Sequence, residues 1–390
     1  ENVIFDDKVL GILKEYCYDQ ADLRRVRDYL SDLTDTRGIR FSQSHKEYSQ
    51  LATAFELFSN PDHTSFRWNQ NYQKSLKSLK DELKQVHLKR VRISTDEDIR
   101  NILPKTDTHS GWSYILTGLR KKGEYLDGAT KHYFEAERTA RMNGSFNCPI
   151  LPGTRTQGSG AFEEDGSFTD TCKHKTRLVS MIDIWQIIAE CQYAVPIQRY
   201  IGGKMWYAGG YNMSQIAGVI STYRSRNSRY ISLDYSHYDQ TISSWLIEDA
   251  FDVLKTAFAE VDDELWAIIV NDFIHKNFIT ADGVIHSDKG VPSGSMFTQI
   301  IDSVVNRIMI ETYFNSIGRK VEMIIMGDDN LMYFDGDVKV DDLCSYLAKN
   351  FGVVSNPDKS TFGTVRQDPQ FLSRIWRADG QWRNGHVLIS

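Results

Sequence analysis

The sequence predicts an α+β fold, an antiparallel sheet with helices on one face. Three observations predict it. The 390 residues are 41% apolar and 25% charged, an ordinary globular balance that argues against disorder, collagen and coiled coil. The first hundred residues read mostly as helix. From Ser228 onward the order becomes strand, helix, loop, helix, hairpin.

Each element has its own signal. Lys74, Lys77, Lys80 and Lys84 recur at spacings of three and four, which lines their ammonium groups along one helix face; Lys89, Arg90 and Arg92 extend the patch. The polar stretch from Pro104 to Tyr125 contains Thr108-His109-Ser110-Gly111-Trp112, and the glycine-rich stretch from Asn143 to Asp170 reads as an extended loop. Lys175 and Arg177 alternate within Lys173–Val179, so on a strand they point the same way and can neutralise a triphosphate. Tyr230 to Leu233 reads as a short strand running into Asp234. Trp245 to Phe258 carries helical periodicity, with Ser243 or Ser244 as the cap. The turn Gly290-Val291-Pro292-Ser293-Gly294-Ser295 leads into a helix reaching about Thr312. Met323–Met326 and Leu331–Phe334 form a hairpin around the turn residues Gly327-Asp328-Asp329-Asn330.

Composition excludes several classes. Lys plus Arg number 46 against 52 carboxylates, a net charge of -6, so any nucleic-acid partner must be held by a local patch. The charge is split: twelve cations against six carboxylates over residues 71–122, but eight against nineteen over 229–340. Five cysteines without a CxxC pair fit neither a disulfide framework nor a zinc site. No apolar run approaches the roughly 18–20 residues of a membrane span, so no membrane partner is expected. A phosphate-binding G-x-x-x-x-G-K-[ST] loop is absent. The chain starts at Glu1 and is expected to be a piece of a longer protein.

The sharpest signal is a set of carboxylates. Asp328 and Asp329 sit side by side at the tip of an apolar hairpin, where turn formation requires only one acidic residue. Asp234 ends a strand that can neighbour that hairpin. Together they can hold two Mg²⁺ ions roughly 3.5–4 Å apart, the arrangement used for in-line phosphoryl displacement. Asp239, beyond the strand end, can reach a nucleotide sugar. Ser293, Gly294, Thr298 and Asn306 supply short polar groups and a close backbone approach for reading a ribose 2′-OH. Lys359, after a turn, can donate a proton to departing pyrophosphate.

These residues resemble the palm-domain polynucleotide polymerases, and among them the RNA-dependent RNA polymerases of small double-stranded RNA viruses, partitivirus-like first and picobirnavirus-like next. Asp234-Tyr235-Ser236-His237-Tyr238-Asp239 resembles the family's first palm motif. Gly290 to Thr298, continuing through Asp302 to Asn306, resembles the second, and Gly327-Asp328-Asp329 the third; Lys359 stands where the fourth has its lysine. Phe371-Leu372-Ser373-Arg374 resembles the primer grip, Lys175-Thr176-Arg177 the fingers motif over the incoming triphosphate, and Thr108-His109-Ser110-Gly111 the template entry.

The resemblance implies a right-hand polymerase with helical fingers (1–200), an RRM-like antiparallel palm with an interleaved fingers segment (201–377) and a start of thumb or tail (378–390), the thumb being absent or incomplete. It implies template-directed RNA synthesis from NTPs for replication and transcription, with two Mg²⁺ ions, Mn²⁺ as a substitute, held by Asp234, Asp328 and Asp329. Implied partners are RNA template and product, NTPs and viral capsid protein; the implied location is the virion interior and host cytoplasm. RNA contacts fall to Thr108, Ser110, Gly111, Phe371, Leu372 and Arg374. Where the family's second motif more often has Asn, this chain has Asp302, with Asn306 four residues on; the sugar-reading role is open between them. The rival readings are a reverse transcriptase-like palm and a non-catalytic, capsid-associated RNA-binding protein.

Overall fold

The computed structural model of the chain describes residues 51–159, 173–280, 283–356, 360–377 and 380–382. Helices come first among them: α1 (Ala52–Ser59), α2 (Gln70–Lys84), α3 (Asp96–Ile102), α4 (Ser113–Thr117) and α5 (Ala129–Asn143). An antiparallel pair, β1 (Leu151–Ser159) and β2 (Lys173–Met181), precedes α6 (Ile184–Ile201) and α7 (Met213–Arg226). Then come β3 (Arg229–Ser232), α8 (Tyr238–Thr241), α9 (Ser244–Lys255), α10 (Asp263–Ile274), the hairpin β4 (Lys276–Thr280) and β5 (Gly283–Ser287), and α11 (Thr298–Ser316). The chain continues through β6 (Glu322–Met326), β7 (Asp329–Phe334), α12 (Val340–Phe351), β8 (Thr361–Thr364), β9 (Gln370–Phe371), β10 (Arg374–Arg377) and β11 (Gly380–Trp382).

The central sheet has the order β6-β7-β3-β8, every neighbouring pair antiparallel. Tyr230 lies opposite Tyr333 and Ile231 opposite Met332. Both faces are covered, where the sequence reading placed helices on one face only. Ile231, Met323, Ile325 and Met332 enter the main core with α11, while Tyr230, Ile324, Leu331 and Tyr333 pack with Ile216 and Ile220 of α7 and with Phe371 and Trp376. The reason is visible in the strands, whose apolar runs are continuous rather than alternating, as strands buried on two sides require. Helix α11 is buried on nearly all its faces, and it takes Asp302, Ser303, Asn306, Arg307 and Thr312 into the interior along with its apolar side chains.

Three local expectations change. The hairpin turn is two residues long, Gly327 and Asp328, because Met326 pairs directly with Asp329; Gly327 takes the left-handed conformation (φ 66°) that a tight hairpin turn needs. Residues 151–159 form β1 instead of loop, since pairing with β2 satisfies their backbone. The hydroxyl of Ser243 makes no cap bond to α9; the carboxylate of Asp62, brought in from before α2, accepts from the Ser244 N–H at 3.0 Å.

Candidate active site

Antiparallel pairing of β3 with β7 sets the end of one beside the start of the other, which is the hairpin apex. Asn330, fully buried on β7, makes the join. Its side-chain oxygen accepts from the Leu233 N–H at 3.0 Å, and its amide donates to Leu233 O at 3.3 Å and Asp328 O at 3.2 Å. Ser232 Oγ donates to Asn330 O at 2.7 Å. Asp234 therefore leaves β3 at the level of the apex. Its own backbone is fixed from the other side, the N–H donating to Ser360 Oγ and the carbonyl accepting from Asn356 N–H at 2.6 Å.

The convergence is electrostatic as well as topological. The Asp329 side chain keeps a solvent-open face. Even so, crowding by protein, then the charges of Asp328 and Asp234, raise its pKa to about 7; Arg177 of β2 opposes the rise. Asp239, half-buried on α8, is pushed up to about 6 by burial and by Asp328, again against Arg177. Asp302 on α11 is 4% exposed and lies well above the usual carboxylate range, through burial first and the charges of Asp239 and Asp328 next. One of its oxygens, Oδ1, has no hydrogen-bond partner among the described residues. Thus Asp234, Asp239, Asp302, Asp328, Asp329 and Arg177 share one field. Lys175 lies two residues before Arg177 on β2, opposite Gln157; Lys359 lies outside the described residues.

Asn306 is spent on structure. Its amide donates to Gly327 O at 3.0 Å and Asp328 O at 3.3 Å, and its oxygen accepts from Tyr235 Oη at 3.0 Å. Ser303 Oγ accepts from the Gly327 N–H at 2.8 Å. Helix α11 thereby clamps the turn that carries Asp328.

The glycine-rich loop rests on β2. Ser293 Oγ accepts from the Ser180 N–H at 3.0 Å and donates to Leu178 O at 3.3 Å. A Cβ on Gly294 would lie 1.8 Å from Ser180 O, so the close approach this glycine permits is to the strand backbone, where the sequence reading had a substrate. Thr298 Oγ1 donates to Pro292 O and Ser295 O, closing the loop onto α11.

The two outlying segments mix buried and part-exposed groups. Ser110 is buried, its hydroxyl donating to Leu119 O at 2.8 Å, and Gly111 (φ 76°) packs against the Ile182–Asp183 backbone; Thr108 is half-buried. Phe371 is 2% exposed, its side chain packed into the second core. Leu372 and Ser373 both take positive φ (53° and 56°) in the tight turn between β9 and β10, and Arg374 is half-buried beyond it.

Sequence reasoning missed Glu190 and Asn330. Glu190, fully buried on α6, accepts from Ser295 Oγ at 2.7 Å, Met296 N–H at 2.8 Å and Gln186 Nε2 at 3.2 Å, joining α6 to the glycine-rich loop. Its signal was available: a lone carboxylate inside the apolar run from Ile184 to Ile201.

The chain belongs to the viral RNA-dependent RNA polymerase family, whose model matches residues 60–386. It is 29% identical over 177 residues to the RNA-directed RNA polymerase of Cryptosporidium parvum virus 1 (strain KSU-1), covering 42% of this chain and 33% of that protein. It is 24% identical over 294 residues to the genome polyprotein of poliovirus type 3, covering 70% of this chain and 12% of the polyprotein. The chain thus spans about a third or less of the length of these curated relatives. The crystal structure of the RNA-dependent RNA polymerase of a human picobirnavirus superposes with a TM-score of 0.64 at 16% identity, covering 96% of this chain and 69% of that one. The fold is accordingly the α+β right-hand polymerase fold.

Proposed function

We propose that this chain supplies the fingers (1–200) and palm (201–377) of a polymerase from a double-stranded RNA virus, with 378–390 leading towards a thumb or tail. It extends an RNA 3′-OH from NTPs on an RNA template, for replication and transcription. The 3′ oxygen bonds to the α-phosphorus as the α–β bridging oxygen leaves with pyrophosphate. The observation that carries this reading is the electrostatic meeting of Asp234 with Asp328 and Asp329 at one sheet end.

The donor set fits Mg²⁺: hard carboxylate oxygens that repel one another, with Arg177 as the cation the pKa shifts reveal nearby. Asp234, Asp328 and Asp329 would hold two such ions, Mn²⁺ serving as a substitute. Bound there, the metal supplies charge neutralisation at the reacting phosphate. Arg177, with Lys175, receives the triphosphate, and Lys359 protonates the pyrophosphate. Asp239 and Asp302 face the sugar. Asp302 is preferred to Asn306 because it has an oxygen to spare, whereas the Asn306 amide is fully committed. Ser293, Gly294 and Thr298 shape the loop beneath. Thr108, Leu372 and Arg374 contact RNA, while Ser110, Gly111 and Phe371 hold those segments in shape. Capsid protein is the proposed further partner, and the virion interior and host cytoplasm the proposed locations. No described helix is long and apolar enough to cross a membrane.

The test is primed and unprimed extension with labelled NTPs and Mg²⁺. Asp328→Asn is expected to lower the rate by about 10²–10³-fold or more, the scale of losing several kcal/mol of metal assistance. Equal rates for the two proteins would refute the catalytic role.

A further inference from the structure

Three metal-capable side chains meet on the outer side of the β4–β5 hairpin. His275 caps the C-terminus of α10, His286 lies on β5, and Asp288 follows that strand. Asp288 Oδ1 lies 2.6 Å from His275 Nδ1 and 2.8 Å from His286 Nε2, and all three donor atoms fall within 4.8 Å of one another. The other ring nitrogen of His286, Nδ1, lies 2.9 Å from the side-chain oxygen of Asn277, the residue paired with it across the hairpin.

That last contact determines the chemistry. An amide oxygen can only accept, so the proton of a neutral His286 sits on Nδ1. The lone pair of Nε2 then points at a carboxylate oxygen. A cation between the two atoms, a proton or a metal ion, makes that contact favourable. We propose that this cation is a borderline divalent ion, Zn²⁺ above all, held by His275, His286 and Asp288 with water in the fourth position. Two imidazoles and one carboxylate are a donor set that suits Zn²⁺, and an outer hydrogen bond that fixes the tautomer of a ligating His is its usual support. Zn–N and Zn–O bonds of about 2.0–2.1 Å put neighbouring ligand atoms about 3.3–3.4 Å apart, so the two short contacts open by about 0.5–0.8 Å to admit the ion.

The scaffold is firm. Lys276, 1% exposed, donates from Nζ to Phe273 O, Ile274 O and Gly290 O at 2.8–2.9 Å. Ser287 Oγ donates to Phe58 O at 2.8 Å. The three ligands themselves are half to three-fifths exposed, which leaves an approach for the ion and its water. An ion there ties the end of α10 and the hairpin to the segment that enters the glycine-rich loop at Gly290. The aspartates at the hairpin apex differ in kind, since they carry no nitrogen donor.

The experiment is dialysis of the purified chain against Zn²⁺ in excess Mg²⁺, with bound metal counted by mass spectrometry and Co²⁺ substitution followed by visible absorption. One Zn²⁺ per chain is expected, raising the melting temperature. Asp328→Asn should retain it. His286→Ala and His275→Ala, checked for folding by circular dichroism, should lose it, and Asn277→Ala should weaken it about 10–100-fold. Wild-type protein that keeps no Zn²⁺, or a His275→Ala/His286→Ala chain that keeps as much as wild type, would overturn the proposal. Loss in Asp328→Asn alone would do so too, by moving the ion to the apex.

Discussion

Replacing Glu190 by glutamine tests how helix α6 grips the glycine-rich loop. Glu190 is fully buried, and burial outweighs its three hydrogen bonds and the nearby Lys122, raising its pKa from 4.5 to about 7. Between those values the folded chain holds a proton that the unfolded chain has released. Stability from this group is therefore complete below the unfolded value and declines as pH rises through about 7. A carboxyl raised from 4.5 to about 7 makes that decline about 3 kcal/mol over the whole range. Glutamine does not ionise and should remove it. Denaturant unfolding of both proteins at about pH 5 and about pH 8.5 supplies the measurement, because every other titrating group cancels in the difference between them. Glu190→Gln should be no more stable than wild type at the lower pH. The Gln amide then faces the Gln186 amide, which had donated to Glu190 Oε1. At the higher pH the variant should have gained about 2.5 kcal/mol relative to that baseline, since part of the decline precedes the lower pH. A stability difference that stays constant across the two conditions would show that Glu190 is already charged, or already neutral, throughout, and the reasoning would fail.

Three further outcomes are expected. Gly294→Ala forces a methyl to within 1.8 Å of Ser180 O, so the loop must move off β2; KM for NTP should rise and the melting temperature fall, and an unchanged KM would contradict the packing argument. Asp239→Ala should relax preference for ribonucleotides over deoxyribonucleotides more than it slows incorporation, with Ser293→Ala doing so more weakly through loop position; equal loss on both sugars would remove them from sugar reading. Lys74, Lys77, Lys80 and Lys84 of α2 line one groove of about 920 Å³, with Lys77 already paired to Asp81. Substituting Lys74, Lys77 and Lys84 together should reduce the salt slope of RNA affinity by up to about 3, roughly one for each phosphate no longer neutralised, and an unaltered slope would leave them a solvated helix face.

The candidate site was legible in the sequence where it depended on residue type at close spacing. Asp234 running off a strand and Asp328-Asp329 in a hairpin carry their own signals, and the sheet joins them. Where a role depended on distant partners, the sequence was silent. Nothing local to Ser244 announces that Asp62 will cap it, and nothing in Asn306 shows its amide committed to the Gly327 and Asp328 carbonyls. The doubly covered sheet was readable but misread: Met323-Ile324-Ile325-Met326 has no polar alternation to face water. The two-residue turn also follows from Gly327-Asp328, a tight-turn pair, once Asp329 is allowed into the strand. Gly294 shows the limit of arguing from a glycine alone, because the backbone it admits is the protein's own.

The clamp on the hairpin apex has one more consequence. The carbonyls and N–H groups around Gly327 and Asp328 are held by Asn306, Ser303 and Asn330, uncharged side chains that neither attract nor repel an arriving cation. The like charges of this centre are thus kept together by neutral braces, with Arg177 offsetting part of their mutual repulsion. The apex backbone is therefore already fixed before any counter-charge arrives, by the same three amide and hydroxyl groups.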